Sequence, residues 1–234
     1  MRPRTIQPEL LDTLSPADPR AIRSRRDLRR VNSWMRNHLI MARELRSCLN
    51  GSLACQLTDL GAGDGRFLLD VAHWMSSRRS NRPDVNVTLL DFQPNVSPET
   101  LRKFAMLGWQ PDVVVADVFQ HAFVRNDVFV ANLFLHHFEA DRLKDLFGRI
   151  SQHADCLIAI EPRRTAWPLF CSRLLWAIGC NDVTRHDAVA SVRAGFAGYE
   201  LSALWPDRAG WQLFERSVGP FSHIFIARKI TGHE

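Results

Sequence analysis

From Ala21 the string AIRSRRDLRRVNSWMRNHLIMARELRSCL places apolar residues at Ile22, Leu28, Val31, Met35, Leu39 and Ala42, close to helical spacing. Asn50-Gly51 punctuates its end. Upstream, to about Pro19, the chain is rich in Pro, Asp and Ser and reads as an extended arm. Beyond Gly51 the period changes. ACQLTDL is a short apolar strand running into glycines, and RFLLDVAHWMSS follows as a helix. VNVTLLDF is a second strand bounded by Pro83 and Pro94, and Pro98 opens a helix carrying Leu101, Phe104 and Leu107. PDVVVADV, NDVFVANLFL and ADCLIAIEP are three further apolar runs, with EADRLKDLFGRISQH as an amphipathic helix between the last two. Strands apolar on both faces, alternating with helices, predict a parallel sheet covered on both sides.

After Pro162 the alternation lapses. RRTAWPLFCSRLLWAIGC reads as one apolar helix and NDVTRHDAVASVRAGFAG as a polar stretch. GWQLFERSV and FSHIFIARK then predict a two-stranded antiparallel finish. At 234 residues the chain has the length of one α/β core with decorations. The division expected is an N-terminal arm and basic helical region over 1–50 and a main domain over 51–234, with a cap inserted at about 163–207.

Composition narrows this modestly. The net charge of +5 is largely arginine, much of it in the first fifty residues. A basic arm suits an acidic partner, a solvated face or the wall of an anionic ligand's pocket. Cys48, Cys55, Cys156, Cys171 and Cys180 show no CxxC pair and no metal-ligand spacing, and their odd number argues against a disulfide framework. A reduced, cytoplasmic protein is the expectation. No stretch approaches the roughly 18 consecutive apolar residues of a membrane span; Thr165 to Cys180 is broken by Pro168 and Arg173.

LTDLGAGDG carries the most chemistry. A strand ending at Leu60 delivers Gly61, Gly63 and Gly65, which let the backbone approach a ligand and turn into a helix. A dinucleotide fingerprint would set its third glycine one place later. The G-x-G-x-G spacing around Ala62, with Asp59 before it and Asp64 within it, resembles motif I of the class I S-adenosylmethionine methyltransferases. An acidic loop also suits a cationic sulfonium better than a pyrophosphate. Asp91 closes the second strand, where the family carries an acid that accepts from both ribose hydroxyls. Asp117 closes VVVAD, where members place an acid near the adenine amine, and Phe92 and Val118 follow these acids as candidate flanks of the ring. Three acids at C-terminal strand ends sit where open α/β sheets bind ligands.

The resemblance covers about Ala54 to Pro162. It implies a Rossmann-like doubly wound sheet, mostly parallel, with an antiparallel C-terminal strand. NLFLHHF falls at the fourth strand's end, the position facing the transferable methyl group. Methyltransferases acting on DNA-base amino groups carry D/N-P-P-Y/F there, and this chain lacks those prolines. Asn132, His136 and His137, with three residues between the asparagine and the first histidine, instead resemble the N-x-x-H-H of quinone-biosynthesis and other small-molecule members, one residue longer. Metal-dependent catechol methyltransferases place an aspartate where Asn132 stands. No metal is expected, because side chains of neighbouring histidines diverge. His136 is a candidate for contact with substrate. SRRDLRRVNSWMRN resembles the arms that cover the cofactor, with Arg26, Arg30 or Asn32 available to the methionine carboxylate; a bidentate guanidinium such as that of Arg30 suits it best.

TRHDAVASVRAGFAGYELSALWP lies where the family inserts a substrate cap. His186, beside Asp187 and Arg185, is a candidate general base because its ordinary pKa lies near working pH. Trp167, Phe170, Leu174, Trp176 and Phe196 would line an apolar acceptor pocket. The resemblance therefore implies methyl transfer from S-adenosylmethionine to a small molecule, the hydroxyl of an aromatic or lipid-like compound first. A quinone-like ring carbon, an RNA or protein acceptor, and a non-catalytic cofactor-binding module are the alternatives. Nucleic acid is not the favoured partner, and the oligomeric state is not legible.

Overall fold

The structure, a computed structural model, describes residues 3–15, 17–49, 54–76, 84–93, 95–206 and 208–230. The Asn50-Gly51 stop and the Pro83 and Pro94 boundaries lie outside the described residues. The arm contains a short helix, α1 (Leu10–Thr13), and leads into α2 (Pro19–Met35) and α3 (Asn37–Leu49). There follow β1 (Ala54–Leu60), α4 (Arg66–Ser76), β2 (Asp84–Asp91), α5 (Pro98–Met106), β3 (Trp109–Val115), β4 (Asn126–Asn132), α6 (Ala140–His153) and β5 (Ala154–Pro162). The segment expected as a cap holds α7 (Ala166–Arg173), α8 (Asp182–Ala194) and α9 (Glu200–Leu204), and β6 (Trp211–Val218) and β7 (Ser222–Lys229) follow.

The sheet order is β3-β2-β1-β4-β5-β7-β6, with β1 to β5 parallel and β7 antiparallel to both neighbours. The order reverses between β1 and β4, so their C-terminal ends open a crevice at the switch point. Leu57, Val130 and Ile158 on one face pack under α3 and α4, while Phe129, Leu157 and Phe225 on the other pack under α6. Burial on both faces accounts for the continuously apolar strands.

Three details depart from the sequence reading. The helix expected as one from Ala21 breaks at Arg36, whose φ of 56° is left-handed, and a new helix starts at Asn37. Its second half is core: Met41, Ala42 and Leu45 are fully buried. The apolar run after Pro162 is also two pieces, because α7 ends at Arg173 and a 3-10 turn, Leu175–Ile178, ends at Gly179 with φ 77°. The polar stretch after it is the helix α8, with Asn181 as its N-cap, accepting from the Thr184 amide at 2.9 Å. The parallel strands stand within the apolar runs, but β3 stops at Val115, two residues before Asp117, and β4 at Asn132, short of Leu135.

Candidate functional site

The three motif glycines all adopt left-handed backbone, with φ 71°, 58° and 73° at Gly61, Gly63 and Gly65. Only glycine enters that region without strain. Their amides are satisfied from within the crevice: Gly61 and Ala62 donate to the Leu90 carbonyl at 2.9 and 3.1 Å. Gly63 donates to Asp91 Oδ2 and Gln93 to Asp91 Oδ1, both at 2.8 Å. Asp91 therefore locks the loop to the end of β2. A Cβ on Gly61 would meet the Phe134 ring at 2.2 Å, whereas one on Gly63 would meet nothing within 4 Å among the described residues. The first glycine admits an aromatic ring and the second faces open space.

Asp59 is buried, and its Oδ2 has no partner among the described residues. Burial, and then the charge of Asp91, push its carboxyl up to about 8. An unpaired carboxyl beside the loop is a site that a cation would stabilise. Beside it, a cleft of about 300 Å³ is lined by Gly61, Asp91, Phe92, Asp117, Val118, Phe119, Phe134, Phe138 and Arg142. Asp117 is held by the Phe119 amide at 2.9 Å. Phe138 makes edge contacts with both Phe119 and Phe134 at 5.0 Å, and the Arg142 guanidinium lies 3.6 Å from the Phe119 centroid. Phe92, expected as a ring flank, is 76% exposed at the rim. Phe119, Phe134 and Phe138, which the motif reading did not single out, supply the aromatic wall. Their signal was the phenylalanine density of VFQHAF and NLFLHHF.

On the other side of the loop a polar cleft of about 550 Å³ takes Arg29, Arg30, Asn32, Asn37, Asp64, Arg66 and Asn132 among its walls. Asn132 Oδ1 accepts from Asn37 Nδ2 at 3.0 Å, and Asn37 Oδ1 accepts from Ser222 at 2.6 Å, so the strand end, α3 and β7 share one hydrogen-bonded chain. Arg30 borders this cleft, but its guanidinium donates to the Ile178 carbonyl at 3.0 Å and pairs with Asp27 at 3.4 Å. Arg26 is exposed and does not line it. Asn32 lines this cleft and also the next one.

That third cleft, about 330 Å³, is walled by Leu28, Val31, Trp34, Met35, Leu133, His136, Pro168, Cys171, Leu174, Ile178, Ala188 and Val192. It lies between the basic helix and the cap. Leu174 is the one member of the expected aromatic and aliphatic stripe that lines it; Trp167, Phe170 and Trp176 are exposed, and Phe196 is core. His186 is not brought to this cleft. Its ring is half-exposed and bonded through Nδ1 to Asp187 at 3.0 Å, and Asp187 caps α1 by accepting from the Leu10 and Leu11 amides at 2.7 and 3.0 Å. The His-Asp pair is thus part of the junction between arm and cap.

His136 does reach the cleft wall. The loop after β4 bends through Leu133, at φ 54°, a conformation that costs a branched residue about 1–3 kcal/mol and needs support. The support is Glu161, which is fully buried at the end of β5. Its carboxylate accepts from the amides of Phe134, Leu135 and His136 at 3.0, 2.8 and 3.3 Å, and pairs with His136 Nδ1 at 2.8 Å. Burial alone would lower the His136 pKa, but the hydrogen bond to Glu161 and the nearby Glu9 carboxylate override it and lift it to about 9. The sequence reading passed over Glu161, although an acid inside ADCLIAIEP was the signal. The two histidine rings do not diverge as expected of neighbours: on the 3-10 turn Leu135–His137 their centroids are 4.3 Å apart, 32° from parallel.

No protein-family model and no curated protein matches the sequence. Solved structures do share its fold. One is the plantazolicin methyltransferase BpumL in complex with SAH, at 11% identity and TM-score 0.63, covering 91% of each chain. Another is a possible exported protein from Bordetella parapertussis, at 18% identity and TM-score 0.61, covering 83% of this chain and 67% of that one. A third is the mitomycin 7-O-methyltransferase MmcR, at 21% identity and TM-score 0.58; the present chain is covered over 93% and spans 60% of MmcR. The fold is the Rossmann-like methyltransferase fold, with an antiparallel C-terminal strand.

Proposed function

We propose that the protein transfers the methyl group of S-adenosylmethionine to a small apolar molecule, a hydroxyl oxygen being the favoured acceptor. The observation that carries this is the glycine loop after β1, which is flanked by Asp59, Asp91 and Asp117 at three strand ends and lies beside an apolar cleft. Asn32 lines both the polar cleft at the loop and the apolar one. The residues fit the cofactor: the Gly63 position is open, Asp59 Oδ2 is unpartnered, and the aromatic cleft offers two carboxylates. Asp91 and Asp117 would hold the ribose and adenine, with Val118 and Phe134 against the ring. Gly61, Ala62, Gly63 and Gly65 would supply close backbone approach, and Asn32 and Asn132 polar contacts near the methionine end.

The cofactor, when bound, supplies a methyl group already activated on sulfur, so the chain's own task is to hold a nucleophile in line with it and to exclude water. The apolar cleft suits both. The names of two fold relatives, a plantazolicin methyltransferase and a mitomycin 7-O-methyltransferase, support a natural-product acceptor. Acceptance at a ring carbon is the next choice. Against an RNA or protein acceptor, Arg23 and Arg30 of the basic helix already bond the carbonyls of Gly179 and Ile178. No helix among the described residues is long and apolar enough to cross a membrane, and five free cysteines suit a reducing, cytoplasmic setting.

The test is direct. Calorimetry should detect binding of S-adenosylmethionine and SAH but not of NADH. Labelled S-adenosylmethionine incubated with the protein and a small-molecule extract should then yield a labelled low-mass product that persists at high salt. A product that is macromolecular and lost with rising ionic strength would favour the nucleic-acid reading instead.

A further inference from the structure

Glu9, His136 and His137 each offer a ligand atom, and all three lie within 4.8 Å of one another. Glu9 belongs to the arm, and the histidines to the turn after β4. His136 is buried, and among the described residues its Nε2 has no hydrogen-bond partner; it faces Glu9 Oε1 at 3.6 Å, beyond hydrogen-bond length. Its other nitrogen is bound to the buried Glu161 at 2.8 Å. Glu9 is oriented in turn by the Ser191 hydroxyl of α8. His137 is exposed, with its ring stacked beside that of His136.

We propose that Glu9, His136 and His137 form a binding site for a divalent first-row transition-metal ion, which clasps the N-terminal arm onto the loop after β4. The proposal stands apart from the methyl-transfer reading. Ligands at about 2.1 Å in tetrahedral array are separated by roughly 3.4 Å, close to the gap between His136 Nε2 and Glu9. His137 needs only a small rotation to join them, which exposure allows. The Glu161 carboxylate on His136 Nδ1 is the outer partner a ligating histidine requires: it fixes the tautomer that leaves the Nε2 lone pair free. Two imidazoles and one carboxylate favour zinc, iron or nickel over magnesium or calcium, which prefer all-oxygen sets. Three protein ligands leave a further coordination position. His136 and Ser191 both border the apolar cleft, so the ion would sit in the wall of that cleft.

The alternative occupant is a proton, with His136 as an imidazolium paired to both glutamates. Zinc titrated calorimetrically into untagged, chelator-stripped full-length protein separates the two. One equivalent is expected, with magnesium giving no heat. Cobalt should give visible d–d bands without the intense thiolate charge-transfer absorption that cysteine ligation produces. Glu9→Gln and His137→Ala should each abolish the stoichiometric event; both sit outside the core, so circular dichroism can verify their folds. Glu161→Gln should weaken binding roughly 10–100-fold. Absence of one-equivalent binding, unchanged binding in both Glu9→Gln and His137→Ala, or thiolate bands with cobalt would each overturn the site and leave the proton clasp.

Discussion

Gly63 donates its amide to Asp91 Oδ2 at 2.8 Å, so the glycine loop of β1 and the acid at the end of β2 are one unit. The second Asp91 oxygen is held by the Gln93 amide at the same distance. A carboxylate fixed by two amides keeps spare acceptor capacity on both oxygens, which is what a ribose diol needs. Asp91→Ala should therefore weaken S-adenosylmethionine at least tenfold, since charged hydrogen bonds contribute about 1.5–3 kcal/mol. It should also lower the melting temperature, because two amides lose their acceptor. Normal affinity in a folded variant would return Asp91 to a purely loop-locking role.

The first two glycines should respond differently to the same substitution. Gly63→Ala meets no neighbouring atom among the described residues, so its folding penalty is the left-handed backbone, about 1–2 kcal/mol. Cofactor affinity should fall, most steeply for Gly63→Val. Gly61→Ala drives a methyl into the Phe134 ring and should destabilise by more. Shrinking the ring in Gly61→Ala/Phe134→Leu should recover part of that loss. Equal melting temperatures for the two alanine variants would contradict the packing described.

Asp59 gives a pH test. Its carboxyl moves from 3.8 to about 8 on folding, through burial first and the Asp91 charge second. Between these values the folded chain holds a proton that the unfolded chain has released, so stability falls as pH rises across this window and levels off above it. Asp59→Asn removes that slope. Denaturant unfolding at pH 5 and pH 8 should show a smaller loss for the variant than for the parent. Parallel losses would mean that Asp59 is ionised in the folded protein throughout.

The apolar cleft is tested by filling it. Ala188 lines it from α8, and Ala188→Phe should block acceptor turnover while leaving cofactor affinity unchanged. His186→Ala, two residues away on the same helix, should leave turnover within about twofold. A general base would lose roughly 10²–10⁴-fold, and a drop of that size would restore His186 as the base.

The parallel sheet, the glycine loop and the acids at three strand ends were legible in the amino-acid sequence. Each is a local property: a strand buried on both faces is mostly apolar, and a left-handed turn favours glycine. The placing of His186 at the acceptor cleft and the choice of which aromatic residues line a cleft both rested on position along the chain. Tertiary structure decided those. Asp187 spends its carboxylate on the α1 amides 176 and 177 residues away, and His186 follows it to the surface. Glu161 gathers three amides and an imidazole from a turn 25 to 27 residues upstream. Phe134 reaches Gly61 only because β1 and β4 are neighbours at the switch point. A buried carboxylate must find partners wherever the fold brings donors, and its sequence neighbours carry no record of which donors those are.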